Sequence, residues 1–182
     1  NLEVTVSSDR TPPVAEARFN GVAAVSDRVG LVTKAILKLE RAPEAVKTML
    51  AIYETIEDGA NTVSAIIAEG IIPATLEMMD NRVMRAVEET IKVGYPLDAA
   101  AVLIIEVEGP TAGLKEQAAR IQQICMQTNC REIQEAKNNE ERNRLWQGRR
   151  GAFGAVARLA PNYLVNDATV PRTKLPEALA KV

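Results

Sequence analysis

Apolar and polar residues alternate at Leu2-Glu3-Val4-Thr5-Val6, the period of a short strand with one side in solvent. Asp9 to Asn20 contains Pro12 and Pro13 and reads as a loop. After Gly30, Leu31 to Leu39 combines β-branched residues with Lys34 and Lys38 on one side, which predicts a half-solvated strand. Pro43 stands where a first helical turn tolerates a missing N–H. Val46, Met49, Leu50, Tyr53 and Ile56 follow at helical spacing, so a helix is predicted there. Asn61 or Thr62 would cap a second, short helix carrying Val63, Ile66 and Ile67, closed by Gly70.

Ala74 to Met79 returns to strand character, and Asn81 to Val93 is helical by Val83, Val87 and Ile91, with Gly94 as its stop. Ala99 to Val107 is an apolar run bounded by Pro96 and Gly109-Pro110, the clearest strand in the chain. A helix over Thr111 to Thr128 carries Leu114, Ala118, Ile121 and Cys125 on one face, and Arg131 to Ala136 is a short strand. Asn138-Asn139 caps a long polar helix reaching about Leu159, stopped by Pro161. Leu175 to Val182 begins an amphipathic helix that reads as cut short. From Leu31 onward the order reduces to β-α-β-β-α-β once the Asn81 to Val93 helix is treated as an insertion. The expected fold is therefore α+β: a ferredoxin-like sandwich, incomplete at its carboxyl end, with an antiparallel sheet and helices on one face.

Composition narrows the function classes. The 182 residues suit one domain, and 47% hydrophobic with 25% charged residues is ordinary globular composition. With 22 Lys+Arg against 24 Asp+Glu the net charge is −2, and aromatics are 3%, so neither a basic field nor a stacking platform for nucleic acid is available. The chain has no histidine, which excludes Ser-His or Cys-His nucleophile pairs and imidazole metal ligands from within it. Cys125 and Cys130 are too few for a disulfide scaffold or a thiolate zinc site, and read as reduced cysteines of a cytoplasmic protein. The longest uncharged apolar run, Ala99 to Ile105, falls far short of the roughly 20 residues of a membrane span. The amino end is neither basic nor a long apolar stretch, unlike a signal peptide.

Neither a dinucleotide-binding G-x-G-x-x-G after a strand nor a P-loop is present. Gly148, Gly151 and Gly154 recur every three residues inside a helical segment, a pattern of close helix packing. The segment from Arg144 to Phe153 holds the only Trp, Trp146, and the paired Arg149 and Arg150. Arginine offers a planar fork matched to a carboxylate. By composition alone the same segment also suits a solvated helix face with Arg stems laid over apolar surface.

Trp146-x-x-Arg149-Arg150, then Ala152-Phe153, Arg158-Leu159-Ala160-Pro161-Asn162-Tyr163, Asp167 and Val170-Pro171-Arg172-Thr173-Lys174-Leu175-Pro176, closely resembles the FAD-linked oxidases of the vanillyl-alcohol-oxidase type. The likeness is nearest to their glycolate oxidase branch, with D-lactate and D-2-hydroxyglutarate dehydrogenases as relatives. Gly30 to Leu39 looks like the strand where that family's FAD-binding domain ends, and Ile72-Pro73-Ala74-Thr75-Leu76-Glu77-Met78-Met79-Asp80 like the cap-domain strand that follows. The resemblance implies that residues 1–29 are the tail of an FAD-binding domain or a linker, and that 30–182 form a cap domain shaping the substrate pocket. It further implies a parent enzyme that moves hydride from a small 2-hydroxy acid, such as glycolate or D-lactate, to FAD held mainly by a preceding domain. A histidine-bearing segment would follow Val182, and the piece alone would be inactive. Arg149 would face the substrate carboxylate, with Arg150, Tyr163 and Asp167 around the pocket. No catalytic residue and no metal ligand is assigned within the chain. Other oxidase subunits or a second copy of the chain are the expected partners, with no nucleic acid. The reading from a different class is a stand-alone ferredoxin-like module for ligand binding or dimerisation, without catalysis.

Overall fold

The computed structural model describes residues 3–6, 14–18, 21–25, 28–32, 35–38, 43–162, 164–165, 168–179 and 181, and side-chain environments from Pro43 onward. The chain divides into two compact units, Asn1–Pro43 and Glu44–Val182.

In the first unit, β1 (Glu3–Val6), β2 (Val14–Arg18) and β5 (Ala35–Lys38) form one antiparallel sheet, with β2 in the centre. The strands β3 (Gly21–Val25) and β4 (Arg28–Val32) pair separately as a hairpin. The strand expected at Leu2 to Val6 is β1. Residues 14–18, expected within a loop, instead form β2, because two flanking strands satisfy their backbone groups. The single strand expected over Leu31 to Leu39 is two: β4 ends at Val32 on β3, and β5 pairs with β2, with Thr33 and Lys34 outside the described residues.

The second unit runs β6 (Ala45–Tyr53), α1 (Ile56–Ala68), β7 (Thr75–Asp80), α2 (Asn81–Thr90), β8 (Ala101–Gly109), α3 (Thr111–Gln127), β9 (Glu132–Glu135) and α4 (Asn139–Val156). A 3-10 turn (Arg172–Lys174) and α5 (Leu175–Leu179) follow. Its four strands are antiparallel in the order β7-β8-β6-β9. Counted within the β-α-β-β-α-β unit this is the ferredoxin-like order, with α2 as the expected insertion.

The unit's first strand is β6, where a helix was expected. Positions 46, 49, 50 and 53 fit a helical stripe only because this strand is central and buried on both sides. Met49, Ala51 and Tyr53 face one layer, Leu50 and Ile52 the other, and all five are at most 2% exposed. A strand apolar on both faces loses its period of two, so periodicity alone cannot identify it. Correspondingly α1 starts earlier than Asn61: Thr55 is its N-cap, its Oγ1 accepting from the Asp58 N–H at 3.0 Å, while Thr62 lies inside the helix.

Helices cover both faces of the sheet, which extends the expectation of one helical layer. The unit's own α1 and α3 pack on the side of Met49, Leu103 and Ile105 through Ile66, Leu114, Ile121 and Ile124. The inserted α2 and the later α4 cover Leu50, Ile52, Val102 and Ile104 through Met84, Val87, Ala152 and Ala155. The uninterrupted apolar run of β8 requires this, since its alternate residues would otherwise face water.

The period-three glycines of α4 are explained in part by packing. A Cβ on Gly148 would sit 2.5 Å from the Tyr95 hydroxyl and 2.7 Å from Val93 Cγ2, and one on Gly151 would meet Ile91, whereas Gly154 faces open space. Tyr95 cannot step aside easily: it is 4% exposed and its hydroxyl donates to the Leu145 carbonyl at 2.7 Å. Gly148→Ala is therefore expected to destabilise the unit by about 1–3 kcal/mol through overpacking. Gly154→Ala should be neutral or slightly stabilising, because it adds helix propensity without a clash. Urea unfolding of the two variants beside the parent chain checks both, and equal midpoints would refute the packing account.

Candidate functional site

Strand register aligns polar residues on the face beneath α4. Glu106 of β8 lies opposite Thr48 of β6 on one side and Thr75 of β7 on the other. Two residues along the same face, Glu77 of β7 lies opposite Ile104. The helix α4, capped by Asn138 accepting from the Glu141 N–H, brings Arg142, Trp146 and Arg149 over these carboxylates at spacing i, i+4, i+7, one stripe of its surface.

Glu106 is 5% exposed inside an apolar run, so its charge needs full compensation. It gets it from four donors. Arg142 straddles the carboxylate, Nε to Oε2 and Nη2 to Oε1, each at 2.8 Å. Oε2 also accepts from Trp146 Nε1 at 2.8 Å and Thr48 Oγ1 at 2.6 Å. Burial by itself would raise the Glu106 carboxyl, but hydrogen bonds from Arg142, Thr48 and Trp146 outweigh it and hold the group below the ordinary glutamate range. The Trp of the W-x-x-R motif thus serves to fasten α4 to β8.

Arg149, one turn further along α4, pairs with Glu77: Nε donates to Oε2 at 3.0 Å, and Nη2 lies 2.9 Å from the same oxygen as an ion pair. The two side chains are 30% and 36% exposed, so this pair lies at the rim of the α4 face and is worth about 0–1 kcal/mol to stability. Arg150 points away, exposed, its Nε donating to the Trp146 carbonyl at 3.2 Å. The structure does not bring Arg149 and Arg150 together on one surface, since neighbours in a helix diverge. Tyr163 and Asp167 lie outside the described residues.

Glu77, Glu106, Arg142 and Thr48 were not singled out as site residues by the sequence. For Glu106 a signal existed: one acid within Ala101 to Val107 must find a cation in the folded protein. Which cation depends on register and on where α4 lands.

On the opposite face, burial pushes the Cys125 thiol up to about 11, an unreactive, protonated state, and raises the Tyr53 hydroxyl. A surface depression of about 480 Å³ at the start of α3 is lined by Glu69, Glu108 and Glu116 with Arg120. Three carboxylates there disfavour the pyrophosphate of a dinucleotide. That depression therefore does not suit FAD. Among the described residues no three His, Cys, Asp or Glu side chains converge as a metal site, and no helix is long and apolar enough to cross a membrane.

The layered α+β unit and the arginine-bearing α4 define a domain class that comparison identifies. Residues 42–182 match the family "FAD linked oxidases, C-terminal domain", and the chain belongs to that family. Glycolate oxidase subunit GlcD of Bacillus subtilis is 44% identical over 147 residues, 81% of this chain and 31% of that protein. The Escherichia coli K12 protein of the same name is 39% identical, over 83% of this chain and 30% of its own length. A mitochondrial D-lactate dehydrogenase [cytochrome] of Arabidopsis thaliana is 27% identical over 84% of this chain and 27% of its own length. The chain thus spans under a third of the length of these relatives. In fold, it superposes on an alkyldihydroxyacetonephosphate synthase structure with a TM-score of 0.63 at 16% identity, covering 84% of this chain and 32% of the other.

Proposed function

We propose that this chain is the cap part of an FAD-linked oxidoreductase that oxidises a small 2-hydroxy acid, of the glycolate or D-lactate kind, to the 2-oxo acid. In this reading Glu44–Val182 is the cap, the preceding residues lead from the flavin-holding part, and FAD is held mainly by a domain other than this one. The observation that carries it is the family match over residues 42–182, together with two relatives named glycolate oxidase subunit. The stand-alone module has no comparable support.

The share of the chemistry that falls to this chain is binding and orientation. Arg149 has the means: a guanidinium on a helix fastened at Glu106, partly open to solvent, with Nη1 unpartnered among the described residues. A substrate carboxylate on that open edge would form charge-assisted bonds and hold the hydroxyl-bearing carbon in place. Tyr163 and Asp167 remain candidates for the same pocket, and Arg150 a more distant one. Assembly with other oxidase subunits is part of the proposal, supported by the word "subunit" in the relatives' names. A reducing, cytoplasmic compartment is supported by the two free, buried cysteines.

The test is the full-length protein, reconstituted with FAD and offered a panel of short 2-hydroxy acids with an artificial electron acceptor. Turnover of at least one such acid, with none of the matching simple alcohols, is the expected result. Turnover of alcohols without preference for the carboxylate would overturn the reading.

A further inference from the structure

We propose that Glu77 is a positioning residue for Arg149, setting the direction in which its guanidinium meets a substrate carboxylate. The proposal rests on the reading of Arg149 given above. Four observations point to Glu77. The α4 backbone is already fixed, because Glu106 binds Arg142 and Trp146 in the two turns before Arg149. The freedom that remains at Arg149 is in its own side-chain torsions, and Glu77 removes it: Nε and Nη2 converge on the single oxygen Oε2. That grip takes one edge of the fork and leaves Nη1 and the outer edge without a partner among the described residues. Finally, Glu77 stands on a paired strand, opposite Ile104, a residue with 0% exposure, so its own backbone cannot drift.

The pair's rim position, half in solvent, contributes little to folding, so stability does not account for a carboxylate aimed at this guanidinium. Orientation does. An arginine held by one edge presents the other in a fixed plane, and misplacement of a reacting group by an ångström costs up to about 10²-fold in rate. A negative neighbour also lowers the net attraction of the site for anions. Removing it should therefore separate affinity from turnover.

The experiment uses the full-length, FAD-loaded protein and a 2-hydroxy acid it turns over, comparing Glu77→Ala, Glu77→Gln, Arg149→Ala and the Glu77→Ala/Arg149→Ala double variant. Glu77→Ala is expected to lower kcat about 10-fold while leaving KM unchanged or lower. Glu77→Gln, which keeps a carbonyl acceptor for Nε, should recover part of that loss. In the Arg149→Ala background, Glu77→Ala should have no further effect, because its action runs through Arg149. Losses that multiply in the double variant, or a Glu77→Ala defect confined to melting temperature, would overturn the proposal. If Arg149→Ala is damaging and Glu77→Ala is silent, Glu77 alone is misassigned. If Arg149→Ala itself is silent, the carboxylate-binding reading fails, and Glu77 with it.

Discussion

Arg149→Ala in the full-length protein is expected to lower kcat/KM for the 2-hydroxy acid by about 10²-fold or more. The size follows from how the residue is held. A flexible surface arginine would add only a loose electrostatic attraction, screened by salt. Arg149 instead projects from a helix fastened at a buried carboxylate, in a spacing that leaves its outer edge available. A charge-assisted pair formed by such a group contributes about 1.5–3 kcal/mol per bond, and two parallel bonds reach the stated loss. Folding should be little affected, because the partner left behind, Glu77, is 36% exposed and can hydrate. Arg149→Lys keeps the charge without the planar fork, so it should restore binding more than rate. Steady-state kinetics with melting curves for each variant check the result. Wild-type kinetics for Arg149→Ala would remove it from the site.

The second large effect belongs to Glu106. Glu106→Ala leaves Arg142, Trp146 and Thr48 without their shared acceptor and unfastens α4 from β8. Breaking a buried pair costs about 3–5 kcal/mol, and the low end applies here because Arg142, 34% exposed, can reach water. A loss of about 3 kcal/mol corresponds to a fall of roughly 6–12 °C in Tm for a domain of this size. The pH dependence has a definite sign. The carboxyl is depressed in the folded state, so its contribution is complete above the unfolded value of about 4.3 and is lost as pH falls through the lower folded value. Glu106→Gln, which cannot ionise, should differ from the wild type most at neutral pH and progressively less below about pH 4. Melting curves from pH 7 to 3 test this. A constant difference across that range would show that the charge of Glu106 is not what stabilises the unit.

Local signals identified most elements of the second unit: the apolar run of β8, the strand β7 and the helices α2, α3 and α4 fall where period, caps and breakers place them. The failure at β6 has a physical cause. Its residues face two apolar layers, and a strand in that position carries no alternation to read. The starts of β2 and β5 were hidden for a related reason, since a short strand is defined by its partner.

For the site, the sequence alone determined that the W-x-x-R segment lies on a helix, that it carries arginines suited to a carboxylate, and that no histidine chemistry exists within these residues. Only the tertiary structure decided how that segment divides its work. Trp146 and Arg142 are spent on Glu106, 40 and 36 residues away, while Arg149 reaches Glu77, 72 residues away, on the neighbouring strand. Those pairings depend on strand register and on where α4 comes to rest across the sheet. Both are set by packing two apolar faces at once, and neither is encoded in any local run of the chain.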